Sequence, residues 1–372
     1  MSRGPRRNRP RSRPASSRPS RAGERHEVVC GPVAHGGHVV ARAEDGVVLF
    51  VRHALPDERV VALVTEGSEG DRFLRADAVQ VLDGSVHRVP PPCPYAGPDA
   101  CGGCDFQHAD PAYQRELKTT VVREQLQRLA GLESEVVVEE VDPLLGWRTR
   151  MQYVDVPGGG QGLHKHRSHD VVEVETCLID AGLPASGHEQ VGPHVFAVEP
   201  DGFWQPHVAA PQVLVDTVRE MARPQPGESA LDLYAGVGLF GAFLADDVGP
   251  AGWVTGVEGD AAASAHAAEN TRAEAVHADV QRWLEGPDSP RHVDLVVLDP
   301  PRTGAKQRVV EGIVGRTPRA VVYVACDPAA LARDVALFAE RGYGLVALRA
   351  FDLFPMTHHV ECVALLEHVT DQ

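Results

Sequence analysis

The chain has 372 residues, of which 43% are hydrophobic and 24% charged; at roughly 150 residues per domain this suggests two or three domains with sizeable cores and excludes one small binding module. No apolar run approaches the roughly 18 residues of a membrane span, so a soluble protein is expected. The net charge of −16 would argue against a nucleic-acid partner if it were evenly spread, but residues 1–24 hold eight Arg and one Glu, net +7, and leave −23 on the rest.

The segment MSRGPRRNRPRSRPASSRPSRAGER (1–25) has Arg, Pro and Ser in place of apolar residues and reads as a disordered tail, either merely solvated or a salt-sensitive arm that gathers RNA. From 26 to 89, short alternating β-branched runs between Gly, Asp and Pro turn signals predict a small β-barrel of the OB-like kind. Residues 90–195 predict a mixed α+β central domain: a loop-rich, cysteine-bearing stretch, a helix from Pro111 to Leu129, then strands and turns around PGGGQG. From 196 to 372 strand and helix alternate, the pattern of an α/β, Rossmann-like doubly wound sheet, with strands at 230–234, 252–258, 293–299, 320–325 and 361–367.

In that last part ALDLYAGVGLFGAFLA sets Gly236, Gly238 and Gly241 directly after a strand, where the backbone must turn tightly and let a cofactor approach. Glu258 ends the next strand, where a carboxylate can accept both hydroxyls of a ribose. This spacing suits a nicotinamide cofactor or S-adenosylmethionine. Asp232, placed to hold an ammonium group, and LDPPR at the end of a later strand favour the second. AVVYVACDPAALARD puts Cys326 at a strand end just before Asp327 and Pro328, a good helix cap and first-turn residue, so the thiol is expected at a helix N-terminus that favours thiolate. Glu361, after His358 and His359, opens another strand.

Together DLYAGVGLF, LDPPRTG, YVACDPAALARD and DLFPMTHHVECVALL resemble the RNA uracil-5-methyltransferase family, whose members make 5-methyluridine in transfer and ribosomal RNA. Upstream, the barrel resembles a TRAM domain, PDACGGCDFQH the family's iron–sulfur segment, and WRTRMQY and SHDVVEVETC its central domain. The resemblance implies a class I methyltransferase domain in which Cys326 adds to uracil C6 and Glu361 removes the C5 proton after methyl transfer. It implies S-adenosylmethionine contacts from Gln205, Tyr234, Glu258 and Asp299, with Asp279 near the adenine, and Phe203 and Arg302 beside a uracil flipped out of folded RNA. It also suggests a monomer. Ala235, Ala325 and Asp327 depart from residues common in the family, and none removes a reactive group; Asp327 would raise the Cys326 pKa, and shift the rate optimum to higher pH, if it does not cap the helix.

Seven cysteines would leave one over in an all-disulfide framework, so a reducing cytoplasm is expected. Cys93, Cys101 and Cys104, completed by Cys177, have a spacing that permits zinc or an iron–sulfur cluster, and the resemblance decides for 4Fe-4S. The RNA is rRNA or tRNA, with the cluster and the barrel tilting the reading to 23S rRNA. A noncatalytic RNA-binding iron–sulfur protein, a nicotinamide oxidoreductase and a cytosine-5 enzyme are the alternatives.

Overall fold

The computed structural model describes residues 18–183 and 187–369, which form two compact units. The first takes the described residues up to Pro32 and His38–Val86, and the second Val33–Gly37 with the chain from His87 onward.

The first unit contains β1 (Arg25–Val29); β2 (Val33–Ala34) comes next in the chain but belongs to the second, and β3 (His38–Arg42), β4 (Val48–Arg52), β5 (Arg59–Glu66) and β6 (Phe73–Asp83) return to the first. The strands of this unit lie in the order β1-β5-β6-β4-β3. Alternate residues are buried along β4 and β5, so Leu49, Val51, Val60, Ala62 and Val64 meet Leu74 and Ala76 in one core. Of the tail expected over 1–25, residues 18–25 are held in the first unit. Arg18 pairs with Asp71, Arg21 with Glu24 and Asp45, and Gly23 N donates to Val64 O at 2.8 Å. The rest of the expected tail, 1–17, lies outside the described residues.

The second unit is built on an eight-stranded sheet. Its early elements are α1 (Pro111–Ala130), β7 (Val138–Glu139), β8 (Val154–Asp155), β9 (Gln161–His164), β10 (Val171–Glu173), β11 (His188–Val191), β12 (His194–Ala197) and α2 (Ala210–Ala222). Then strand and helix alternate: β13 (Ser229–Leu233), α3 (Leu239–Val248), β14 (Trp253–Glu258), α4 (Ala261–Asn270), β15 (Glu274–His277), α5 (Val280–Glu285), β16 (Leu295–Leu298), α6 (Lys306–Val314), β17 (Ala320–Ala325) and α7 (Pro328–Ala339). A long hairpin, β18 (Tyr343–Phe351) and β19 (Glu361–His368), closes the chain. The sheet order is β15-β14-β13-β16-β17-β19-β18-β7, parallel from β15 to β17, with β19 antiparallel to both neighbours.

Buried strand residues point alternately to two apolar layers. Ala230, Val297, Val322 and Val324 pack with α2 and α3, whereas Leu231, Val296, Val321 and Tyr323 pack with α1, α5, α6 and α7. The central domain expected over 90–195 is therefore not a separate compact unit: α1 buries Val122 and Leu126 in the second layer, and β7 extends the sheet beside β18. No helix among the described residues is long and apolar enough to cross a membrane.

Candidate active site

The order in which the chain adds strands reverses between β13 and β16, and in such parallel sheets a crevice opens at the carboxyl ends of the strands. Into it lead the turn after β13, Glu258 at the end of β14, Asp279 after β15, Asp299 after β16 and Cys326 after β17. The turn is held from below. Asp232 is buried within β13, and its Oδ2 accepts from Gly241 N at 2.8 Å while its Oδ1 has no partner. Burial, with Asp299 and Glu258 nearby, raises the Asp232 pKa to about 7. At Gly238, φ is +89° and a β-carbon would lie 2.5 Å from the Thr271 side chain, so this corner requires glycine. Glu258 receives two backbone amides, Gly236 N at 2.9 Å and Asp260 N at 2.7 Å, and so ties the glycine turn to the end of β14.

Tyr234, with φ of 61°, follows β13, and burial pushes its hydroxyl up to about 12. Asp279 is exposed and caps α5 by accepting from Arg282 N at 3.0 Å. Gln205 is buried and donates through Nε2 to Asp299 Oδ2 at 3.3 Å. Burial raises Asp299 to about 7. Two residues before Gln205, Phe203 is 71% exposed, a large aromatic ring left in solvent. The preceding segment is strapped to WRTRMQY, with Thr149 Oγ1 donating to Gln205 O at 3.0 Å and Arg150 to Gly202 O.

The β17–β19 ladder pairs Ala325 with Cys362, and the register carried one residue further sets Cys326 opposite Glu361. Residues opposite each other across an antiparallel ladder have β-carbons about 5 Å apart. Glu361 is buried, not a surface carboxylate, and burial followed by Asp299 raises its pKa well above the usual range, against the pull of Arg302. Asp327 caps α7, its Oδ1 accepting from Ala330 N at 2.7 Å, with Pro328 in the first turn, as expected. The expected bias of Cys326 towards thiolate is reversed. Burial first, then Glu361 and Asp299, push the thiol up to about 12, and Arg302 is the opposing cation. At neutral pH the thiol is therefore held in its protonated form.

Sequence reasoning did not give roles to three groups here. His359 is held neutral, down to about 3, by burial and then by His358 and Arg302; its Nε2 lies 3.4 Å from Arg302 Nη2, and because a guanidinium only donates, Nε2 is the acceptor. Asp334, the last residue of YVACDPAALARD, is buried and accepts from Tyr323 Oη and Ala305 N, both at 2.7 Å, which pins the end of the DPPRTG loop to α7. His35, from the segment Val33–Gly37, sets Nε2 3.2 Å from Asp327 Oδ2. A lone His in a glycine turn carries no signal in sequence, whereas the Asp334 contacts were legible only as a motif without a partner.

Apart from this site, Cys93, Cys101, Cys104 and Cys177 all line one cavity of about 260 Å³. Gly103 N donates to Cys101 Sγ at 3.4 Å, the Ile179 and Asp180 amides donate to Cys177, and the Gln107 side chain bonds Cys104. Burial pushes Cys104 up to about 12 and raises Cys177. Among the described residues no group of three or more His, Cys, Asp or Glu is arranged to hold a metal ion.

Comparison with known proteins agrees with this geometry. The tRNA (uracil-5-)-methyltransferase family model matches residues 263–369, and the TRAM domain model residues 19–79. A protein of Streptomyces avermitilis described as an RNA methyltransferase is 45% identical, over 93% of this chain and 98% of its own. The 23S rRNA (uracil(1939)-C(5))-methyltransferase of Acidithiobacillus ferrooxidans is 32% identical, over 89% of this chain and 94% of its own. Among solved structures, the Pyrococcus abyssi tRNA (uracil-54, C5)-methyltransferase, in complex with S-adenosyl-L-homocysteine, shares the fold with a TM-score of 0.67 at 22% identity, covering 92% of this chain and 99% of its own. With the glycine turn, Cys326 and Glu361 gathered on the edge of one sheet and relatives matched along nearly the whole chain, the protein belongs to the RNA (uracil-5-)-methyltransferase family.

Proposed function

We propose that the chain forms 5-methyluridine in 23S ribosomal RNA, with Cys326 as nucleophile and Glu361 as base. The observation that carries this reading is the β17–β19 register, which, carried one residue past the Ala325–Cys362 pair, sets Cys326 opposite the buried Glu361. S-adenosylmethionine, when bound, supplies the electrophilic methyl group. The unpartnered Oδ1 of Asp232 suits the ammonium of its methionine part, Glu258 at the end of β14 its ribose, and Gly236, Gly238 and Tyr234 the wall of its cleft, with Gln205 and Asp299 on the side facing Cys326. Asp279, at the end of the next strand, suits the adenine side.

Uracil C5 is a poor nucleophile. Cys326, once its proton has passed to Asp299 so that Glu361 stays ionised, adds through sulfur to C6, and the electron pair released at C5 takes the methyl group as the methyl–sulfur bond breaks. Glu361 then removes the proton left on C5, the C5–C6 double bond re-forms, and the Cys326–C6 bond breaks to return the thiolate. Arg302, the cation among Asp299, Glu361 and Cys326, stabilises both the thiolate and the carboxylate form of Glu361. The exposed ring of Phe203 is a stacking platform for the extruded base or its neighbour.

The direct check is the covalent intermediate. Glu361→Gln should accumulate a methylated RNA adduct that survives denaturing electrophoresis, because addition and transfer proceed while proton removal stops. Cys326→Ala should form neither adduct nor product, and an adduct formed by that variant would contradict the assignment.

For the cysteine cavity, the resemblance of PDACGGCDFQH to the family's iron–sulfur segment, together with the four thiols that line one space, supports a 4Fe-4S cluster held by Cys93, Cys101, Cys104 and Cys177, although these thiols do not stand in a metal-holding arrangement here. Such a group takes no part in the methyl transfer and would hold the loop 93–104 to the segment around Cys177. Anaerobically purified protein should contain iron and acid-labile sulfide; stoichiometric zinc in their place would contradict the cluster. The choice of ribosomal RNA is supported by relatives named as 23S rRNA enzymes at 32% and 31% identity, whereas the solved tRNA enzyme is 22% identical.

A further inference from the structure

We propose that His35 is a positioning residue for the reaction at Cys326, holding the carboxylate of Asp327 so that the residue after the thiol is fixed from two sides. Both oxygens of Asp327 are engaged: Oδ1 accepts from Ala330 N at 2.7 Å and thereby caps α7, and Oδ2 lies 3.2 Å from His35 Nε2. Neither contact touches the reacting atoms. Together they set the rotation of the Asp327 side chain and, through the shared backbone, the exit of β17 that carries Cys326.

The seating of the segment Val33–Gly37 is a second observation. Gly37, at φ of +78°, comes so close that a β-carbon there would lie 2.7 Å from His358 Cβ and 3.2 Å from Asp105 Cβ. His358 and Asp105 are themselves paired, Nδ1 to Oδ2 at 2.6 Å and backbone N to the same oxygen at 3.0 Å, and they stand just before Glu361 in the fold. The five-residue segment thus braces the loop after the nucleophile through His35 and the loop before the base through Gly37.

Electrostatics gives His35 a measurable effect. Cys326 is faced by Glu361 and Asp299, by Arg302, and by Asp327, and of these only Arg302 favours its thiolate. Asp327 is faced in turn by His35 and Arg333. A donor on Asp327 Oδ2 draws off part of the negative charge that opposes ionisation of the adjacent thiol, so removing the donor should make the thiol less reactive. The inference rests on Cys326 being the nucleophile, and its test is built to fail separately from that reading.

The test compares full-length His35→Ala, His35→Gln and the double variant His35→Ala/Asp327→Asn with the unaltered protein. Alkylation of Cys326 by iodoacetamide, followed by peptide mass spectrometry across a pH series, needs neither RNA nor cofactor. For His35→Ala we expect alkylation at fixed pH to slow by about threefold, the scale of a partly exposed ion pair. The kcat for methyl transfer should fall comparably at unchanged KM and melting temperature. Gln, which keeps a donor, should restore both rates, and Asp327→Asn in the Ala background should restore alkylation. An alkylation profile unmoved in His35→Ala, or a loss that Gln does not rescue and that follows a fall in melting temperature, would overturn the role of His35. Full methyl transfer by Cys326→Ala would instead overturn the nucleophile reading, whatever the alkylation profiles show.

Discussion

Asp232 shows how a single residue can be kept at a cost to the fold. One of its oxygens is satisfied by Gly241 N and the other is buried without a partner, an arrangement that a ligand cation would complete. Its pKa, raised to about 7 by burial and then by neighbouring acids, lies above the roughly 3.9 of an unfolded Asp. The folded chain therefore retains a proton that the unfolded chain has released. That contribution to stability is complete below about pH 4 and is lost as pH rises through about 7. Asp232→Asn should accordingly melt higher than the unaltered protein by a margin that grows from pH 4 to pH 7 and then levels, while S-adenosylhomocysteine raises its melting temperature less. A margin that shrinks with rising pH, or an undiminished ligand shift, would contradict the assignment. Residue identities at the site were legible because Asp, Gly, Glu and Cys recur at strand ends in a fixed order. The protonation of Cys326 was not legible, since it is set first by burial and then by Glu361 and Asp299, which belong to other parts of the chain.

At the scale of elements, the ladder between β17 and β19 does most to build the site, because it joins residues 35 apart in the chain. Strands β13, β14, β16, β17 and β19 were legible as apolar runs between turn signals. Strand β18 was not: its buried and half-buried residues follow no simple alternation, and a bulge interrupts its pairing between Leu345 and Ala347. Strand β15 is four residues long with no buried position. Helix α1 was anticipated within one residue of its end, but its partner was not, because Lys118 in its middle reads as a surface residue. Lys118 is in fact fully buried, donating to Asp352 Oδ1 at 2.5 Å and to Phe354 O at 3.0 Å, which fastens α1 to the chain that leaves β18. Lys118→Met leaves the Asp352 charge buried alone and should cost about 3–5 kcal/mol of unfolding free energy. Lys118→Met/Asp352→Leu should recover most of it, and denaturant titration of the two variants checks both. Equal losses in the single and double variants would show that packing, not the ion pair, holds α1.

For the whole molecule, the RNA enzyme was read from motifs that resemble the family, and the fold from periodicity. The doubly wound sheet and its ordered turn follow from periodicity, and the structure bears them out in the order β15-β14-β13-β16-β17-β19-β18. Separation of a central domain does not follow from composition, because α1 and β7 complete the layers of the same sheet. The positive charge of the first 24 residues is offset by the acidic remainder, so RNA must be held by local surfaces and not by the net field of the protein. Chemistry and target are separate parts of the claim, and one measurement reads both. Methyl transfer from labelled S-adenosylmethionine is followed to unmodified 23S ribosomal RNA and, separately, to unmodified transfer RNA, with nucleoside mass spectrometry of each product and Cys326→Ala as the control. The account predicts 5-methyluridine in the ribosomal RNA alone and none with the variant. Label confined to transfer RNA would contradict the proposed target, and 5-methyluridine formed by Cys326→Ala would contradict the proposed chemistry.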